Sequence, residues 1–183
     1  MSAPCGHCGL PTGELTPLDA VRLVRTLPYR YRKALGYPAA ADGRLDDPAS
    51  AVRRRPAPGA WSPVEHFGLA VDVLDVLAPA IRRAVVEDEP EVWLFDPAEQ
   101  VEDQAYDELP VAELVSRLDT ACADLSLTID DIDPAEWARG ATVGGTRATA
   151  LELLRRAVHE AVHHLDDLER ALAGLEAPGP GPP

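Results

Sequence analysis

Two reciprocal capping motifs constrain this chain more than any other feature. Ser62-Pro63-Val64-Glu65 and Thr149-Ala150-Leu151-Glu152 each set a hydroxyl residue three places ahead of a glutamate. The hydroxyl can accept from an unpaired first-turn amide, and the glutamate can reach back to the amide of the hydroxyl residue. Each motif heads a long segment whose apolar residues recur three and four apart. The first carries Val64, Phe67, Val71, Leu74 and Leu77; the second carries Leu151, Leu154, Val158, Ala161, Leu165 and Leu168. This periodicity predicts helices over about 63–86 and 150–172. Thr16-Pro17-Leu18-Asp19 is a third start, with a hydroxyl cap, proline at the first helical position and an acid in the first turn. Leu18, Val21, Leu23 and Val24 follow as its apolar face. Pro110 opens a fourth helix, with Leu114, Leu118, Cys122, Leu125 and Leu127 as its buried side. Strand signals hardly appear, so an all-α four-helix bundle is predicted.

The connections are irregular. Pro28 removes a backbone donor and is expected to kink or split the first helix before Tyr29–Leu35, and Pro79 to kink the second. Residues 36–59 read as a connecting segment with one helical turn near Ala49–Arg54. Asp96–Tyr106 suits a short polar helix, and Asp133 starts a turn ending near Trp137. Val143-Gly144-Gly145-Thr146 is a tight turn compatible with a small hairpin. Trp61, Trp93 and Trp137 are expected to anchor connections against the bundle, and Arg53-Arg54-Arg55 to be solvated or paired with carboxylates. The expected organisation is a cysteine-containing segment over 1–15, the bundle over 16–173, and a disordered Gly/Pro tail over 174–183.

A chain of 183 residues can bury a full core. Thirty-one acidic against seventeen basic side chains give a formal charge of −14. Such a surface repels phosphate backbones and anionic lipid, which argues against nucleic acid and membrane partners. Asp72 and Asp75 interrupt the longest apolar run, excluding a membrane span there. The first ten residues lack the pattern of a signal peptide, and three cysteines do not make a disulfide framework, so a cytoplasmic location is expected.

The candidate chemistry lies in His159-Glu160-Ala161-Val162-His163-His164. Histidines four apart on a helix lie one above the other, close enough for both to bind one divalent metal. At ~100° per residue His159 and His163 point away from their helix's apolar stripe, toward a groove, a connecting segment or solvent. The H-E-x-x-H pattern of zinc proteases is matched literally, but the glycine turn that would follow is replaced by Asp166 within a continuing helix. A pair of exposed histidines with no metal is the bland alternative. Cys5-Gly6-His7-Cys8-Gly9 has the spacing of half a zinc knuckle, and a closed site needs four ligands. It reads either as a flexible, unliganded segment or as a contributor of metal ligands. If it docks across the last helix, Cys5, Cys8, His159 and His163 make a Cys2His2 set. Cys122 is expected to be a packed core cysteine.

Trp61-Ser62-Pro63-Val64-Glu65-His66 ahead of an apolar helix, together with His159-Glu160-x-x-His163-His164-Leu165, resembles the DinB-like superfamily over about Leu18 to Leu172. That group includes thiol-dependent S-transferases and a mycothiol-dependent maleylpyruvate isomerase, and the Cys5-x-x-Cys8-Gly9 opening is similar to one of its subgroups. The resemblance implies a divalent metal, zinc or nickel, on three histidines. Two match His159 and His163; the third, eight residues after the tryptophan, is Leu69 here. His66 and Asp72, one turn to either side, are the candidate substitutes. The implied activity is that of a transferase or isomerase, in which the metal lowers the pKa of a low-molecular-weight thiol that attacks a small-molecule substrate. The alternative is a non-catalytic ligand- or partner-binding bundle with a degenerate metal site. Leu69 favours this reading, and the retained histidine pair opposes it. A dimer face and a core face look alike in one sequence, so a homodimer is compatible with either.

Overall fold

Helices and three short strands alternate along a computed structural model that describes residues 4–37, 44–47 and 49–176. The helices are α1 (Pro17–Leu35), α2 (Pro63–Val86), α3 (Pro97–Gln104), α4 (Val111–Asp131) and α5 (Ala150–Glu176). The strands are β1 (Glu91–Val92), β2 (Gly140–Val143) and β3 (Thr146–Thr149).

The starts are those written in the sequence. Thr16 and Asp19 cap α1 reciprocally, and Ser62 and Glu65 cap α2. At α5 the Glu152 amide donates to Thr149 Oγ1 at 3.1 Å, and the Glu152 carboxylate accepts from the Thr149 amide at 2.7 Å. The Ser62 cap is reinforced from outside, because Arg55 forms a forked ion pair with the buried Glu65. Arg53 pairs with Asp46, so the arginine run is partly consumed by carboxylates.

Helix α2 packs against α5 and α4, and α1 closes the ring by contacting α4 and α5. Phe67, Leu69 and Leu74 of α2 and Leu154, Val158 and Leu165 of α5 are fully buried. Tyr31 of α1 stacks on Phe67 with ring centres 5.0 Å apart, and its hydroxyl donates to the Ala161 carbonyl at 2.7 Å. A bundle of four long helices with one short connecting helix is therefore what the chain builds. It also carries a small sheet in the order β1-β2-β3, parallel then antiparallel. The hairpin turns at Gly144-Gly145, both with positive φ (55° and 79°), as a two-residue connection of this kind requires. The two residues of β1 are too few to show any period.

Several expectations are corrected. Helix α1 continues through Pro28 instead of splitting, whereas α2 runs through Pro79 to Val86 as expected. Pro79 lies on the exposed face, where water can satisfy the carbonyl it strands. Leu18 and Leu127 are exposed. Leu127 is two residues past Leu125 and so about 200° round the helix; the buried stripe continues to Ile129 instead. Trp137 is buried and Trp61 packs against the core, but Trp93 is 76% exposed. Residues 174–176 belong to α5, while 177–183 lie outside the described residues. No helix among the described residues is long and apolar enough to cross a membrane.

A buried polar hub joins three elements: Asp72 of α2 accepts from the Tyr106 hydroxyl, Gln100 of α3 and Arg117 of α4, each at 2.5 Å. The Tyr106 ring is admitted because Gly68 has no side chain; a Cβ there would lie 2.2 Å from Tyr106 Cδ1. Gly68→Ala should therefore destabilise the fold by about 1–3 kcal/mol through overpacking, although alanine is the better helix former, and urea unfolding would read this directly.

Candidate metal centre

The amino-terminal segment is docked along α5. Cys5 to Leu10 form a tight turn in which the Gly9 amide donates to the Cys5 carbonyl at 2.9 Å and the Cys5 amide to the Leu10 carbonyl at 3.0 Å. Gly9 closes it with φ 73°, a conformation that favours glycine. His7 Nε2 lies 2.5 Å from Asp167 Oδ1, and its ring stacks on His163 with centres 4.4 Å apart. Arg170 donates to the His7 carbonyl at 3.0 Å and Arg155 to the Leu15 carbonyl at 2.9 Å. Of the two sequence readings of this segment, the free one does not describe it.

Docking carries the cysteines onto the histidine pair. Cys5 Sγ lies 3.8 Å from His163 Nδ1, and one donor atom from each of Cys5, Cys8, His159 and His163 falls within 4.8 Å of the others. Tetrahedral zinc, with bonds of about 2.3 Å to sulfur and about 2.0–2.1 Å to nitrogen, would set its donors roughly 3.4–3.8 Å apart. The soft thiolate and imidazole donors suit such an ion, and the Cys5–His163 separation matches one edge of its tetrahedron. All four residues are half-buried, so the group is held by the fold yet open to an ion. A hydrogen bond from His159, then those from the Cys8 and His7 backbone, lower the Cys5 pKa to about 5. Burial pushes the Cys8 thiol up. A metal entering the set would thus find one thiolate ready-made and displace a proton from the other. Behind His163, its Nε2 lies 3.5 Å from Asp167 Oδ2, a carboxylate placed to fix the ring's tautomer and orientation.

His66 stands outside this set. Its ring meets the edge of Trp61, and its Nδ1 lies 3.4 Å from His164 Nδ1 and 3.9 Å from Asp167 Oδ2. Leu69 is buried among apolar neighbours and Asp72 is taken up by the Tyr106 hub, so neither brings a donor here. Burial pushes the buried Cys122 thiol up to about 12, which makes it inert. The sequence reading gave His164 and Asp167 no role of their own. The four-residue spacing of His163 and Asp167 was available as a signal; the contacts of His7 and His66 with α5 were not.

The sequence profile of the DinB superfamily matches residues 39–168. The chain belongs to the DinB superfamily. This DinB-superfamily chain superposes on YfiT from Bacillus subtilis, described as a probable metal-dependent hydrolase with an unusual four-helix bundle topology. The TM-score is 0.72 at 11% identity, with 85% of each chain covered. It also superposes on the mycothiol-dependent maleylpyruvate isomerase with TM-score 0.62 and 17% identity, covering 91% of this chain and 63% of that one. At these identities the likeness is one of fold. No curated protein matches the sequence.

Burial, followed by the neighbouring His66 charge, pushes the His164 pKa down to about 4, and burial lowers that of His66. As pH falls from about 6.5 toward about 4, the unfolded chain takes up protons that these native imidazoles refuse. The metal-free protein should lose stability across that window and level off below it. His164→Gln should flatten the slope in urea unfolding compared at neutral and mildly acidic pH.

Proposed function

We propose that this protein is a metal-dependent transferase or isomerase that acts on a small-molecule substrate with a low-molecular-weight thiol. In this reading Cys5, Cys8, His159 and His163 hold its divalent ion, zinc or nickel. One observation carries the proposal: donors from opposite ends of the described chain converge within 4.8 Å of one another. The fold shared with a metal-dependent and a thiol-dependent neighbour supports it. A bound divalent ion would supply Lewis acidity, lowering the pKa of a thiol that reaches it so that the thiolate is available near neutral pH.

The chain's own residues supply the rest. Cys5, already lowered to about 5, offers a charged donor at neutral pH. Asp167 orients the His163 ring through its Nε2 side. His7, held by Asp167 and Arg170, presses the cysteine turn onto α5 and keeps both sulfurs in place. A cavity of about 110 Å³ is lined by Glu160, Arg156 and His164 and not by the four donors, with apolar walls from Leu77, Leu94 and Phe95. In this reading it takes one small group of the substrate, on the side of α5 that carries Glu160 and His164.

A second reading is favoured by the completeness of the four donors, since closed sets of protein ligands are typical of structural zinc. The ion would then fasten the amino-terminal segment, and the bundle would serve in ligand or partner binding without turnover. Untagged protein should carry zinc or nickel on this set, so the Cys5→Ser/Cys8→Ser variant should hold about one equivalent less than the wild type. Thiol-dependent consumption of maleylpyruvate, assayed with mycothiol, glutathione and cysteine, separates the readings. Loss of turnover with loss of metal supports the enzyme; metal without any turnover supports the scaffold.

A further inference from the structure

All five histidines of the chain and two of its three cysteines gather along the middle of α5. The Cys2His2 set uses only part of them. On its flank stand His66 from the first turn of α2, and His164 and Asp167 from α5, with one donor atom of each inside 4.8 Å of the others. The two Nδ1 atoms are 3.4 Å apart, close to the edge of a tetrahedron built from bonds of about 2.1 Å. A single shared hydrogen could join these imidazoles, but it would leave Asp167 Oδ2, which faces both His66 and His163, without a cation. Among the described residues, the ion-pair partners of Asp167 are all imidazoles, those of His7, His66 and His163. No arginine or lysine neutralises it there, whereas neighbouring Asp166 is paired with Arg170. A carboxylate facing several imidazoles, two of them largely buried, is a cluster rich in donors and poor in cations.

We propose that His66, His164 and Asp167 form a second divalent-cation site, distinct from the Cys2His2 set and lacking a fourth protein ligand. Two imidazoles and one carboxylate leave coordination positions open, the arrangement of catalytic rather than structural centres. Of the three, His164 is also a wall of the 110 Å³ cavity that holds Arg156 and Glu160, so that cavity borders the site. The two sets differ in chemistry: one brings two sulfurs and two imidazole nitrogens, the other two imidazole nitrogens and a carboxylate. This goes beyond the function proposed above and rests on different donors, so either can fail alone.

Cobalt(II) distinguishes the sites, because thiolate ligation adds an intense near-ultraviolet charge-transfer band that imidazole and carboxylate ligation lacks. Full-length untagged protein, stripped with a chelator and titrated with cobalt(II), should take up two equivalents, only one of which brings that band. His66→Ala should weaken the bandless equivalent by about tenfold or more and leave the other in place. Asp167→Asn should do the same to the bandless equivalent, and its side chain, 20% exposed, makes it the safer variant for folding. Cys5→Ser/Cys8→Ser should abolish the band and keep the second equivalent. A single equivalent carrying the band in the wild type overturns this proposal and leaves the Cys2His2 reading standing. A single bandless equivalent sensitive to His66→Ala does the reverse. A bandless equivalent untouched by both His66→Ala and Asp167→Asn also overturns it.

Discussion

The packing of α5 against α2 decides which side of α5 is left for chemistry. Leu154, Val158, Ala161, Leu165 and Leu168 are driven into that interface by burial of apolar surface, worth about 1.5–3 kcal/mol for each large side chain. With 3.6 residues per turn, His159 and His163 then emerge at the margin of the bundle, half-covered, and His164 turns toward α2. Position 69 belongs to the same interface. A leucine there strengthens the core that holds α5 in place, whereas an imidazole at that depth would need a partner or an ion to be tolerated. Leu69 therefore contributes through packing, and the four candidate donors come from the amino-terminal segment and α5.

Recruitment is done by polar contacts that are individually modest. The arginines at 155 and 170 hold backbone carbonyls of the amino-terminal segment, and Asp167 holds the ring of His7. Each exposed contact of this kind is worth about 1 kcal/mol or less. Together they place a short, glycine-closed turn on one face of one helix. The formal charge of −14 adds a diffuse attraction for cations toward a surface that already concentrates the chain's imidazoles.

Most of the architecture was legible because it follows from local chemistry. Capping boxes at Thr16, Ser62 and Thr149 and the apolar stripes behind them specify the long helices without tertiary information. What failed was local reasoning applied where tertiary packing rules: Pro28 sits inside a helix held on both sides of it by buried neighbours, Leu27 and Tyr31. Leu127 and Trp93 show that an apolar side chain does not have to find a cover. At the site, the four donors Cys5, Cys8, His159 and His163 could be assembled by counting ligands, and the fold brings those four together. The pairing of His66 with His164, by contrast, depends on the axial offset between α2 and α5, which no short-range pattern encodes.

The order of the donors along the polypeptide has a consequence for biosynthesis. A chain leaving the ribosome presents the cysteine turn well before the α5 histidines. Coordination by all four residues would therefore become available only after α5 has been translated. Before then, an ion could be gripped only loosely by two thiols. Metal retention would thus mark a closed bundle.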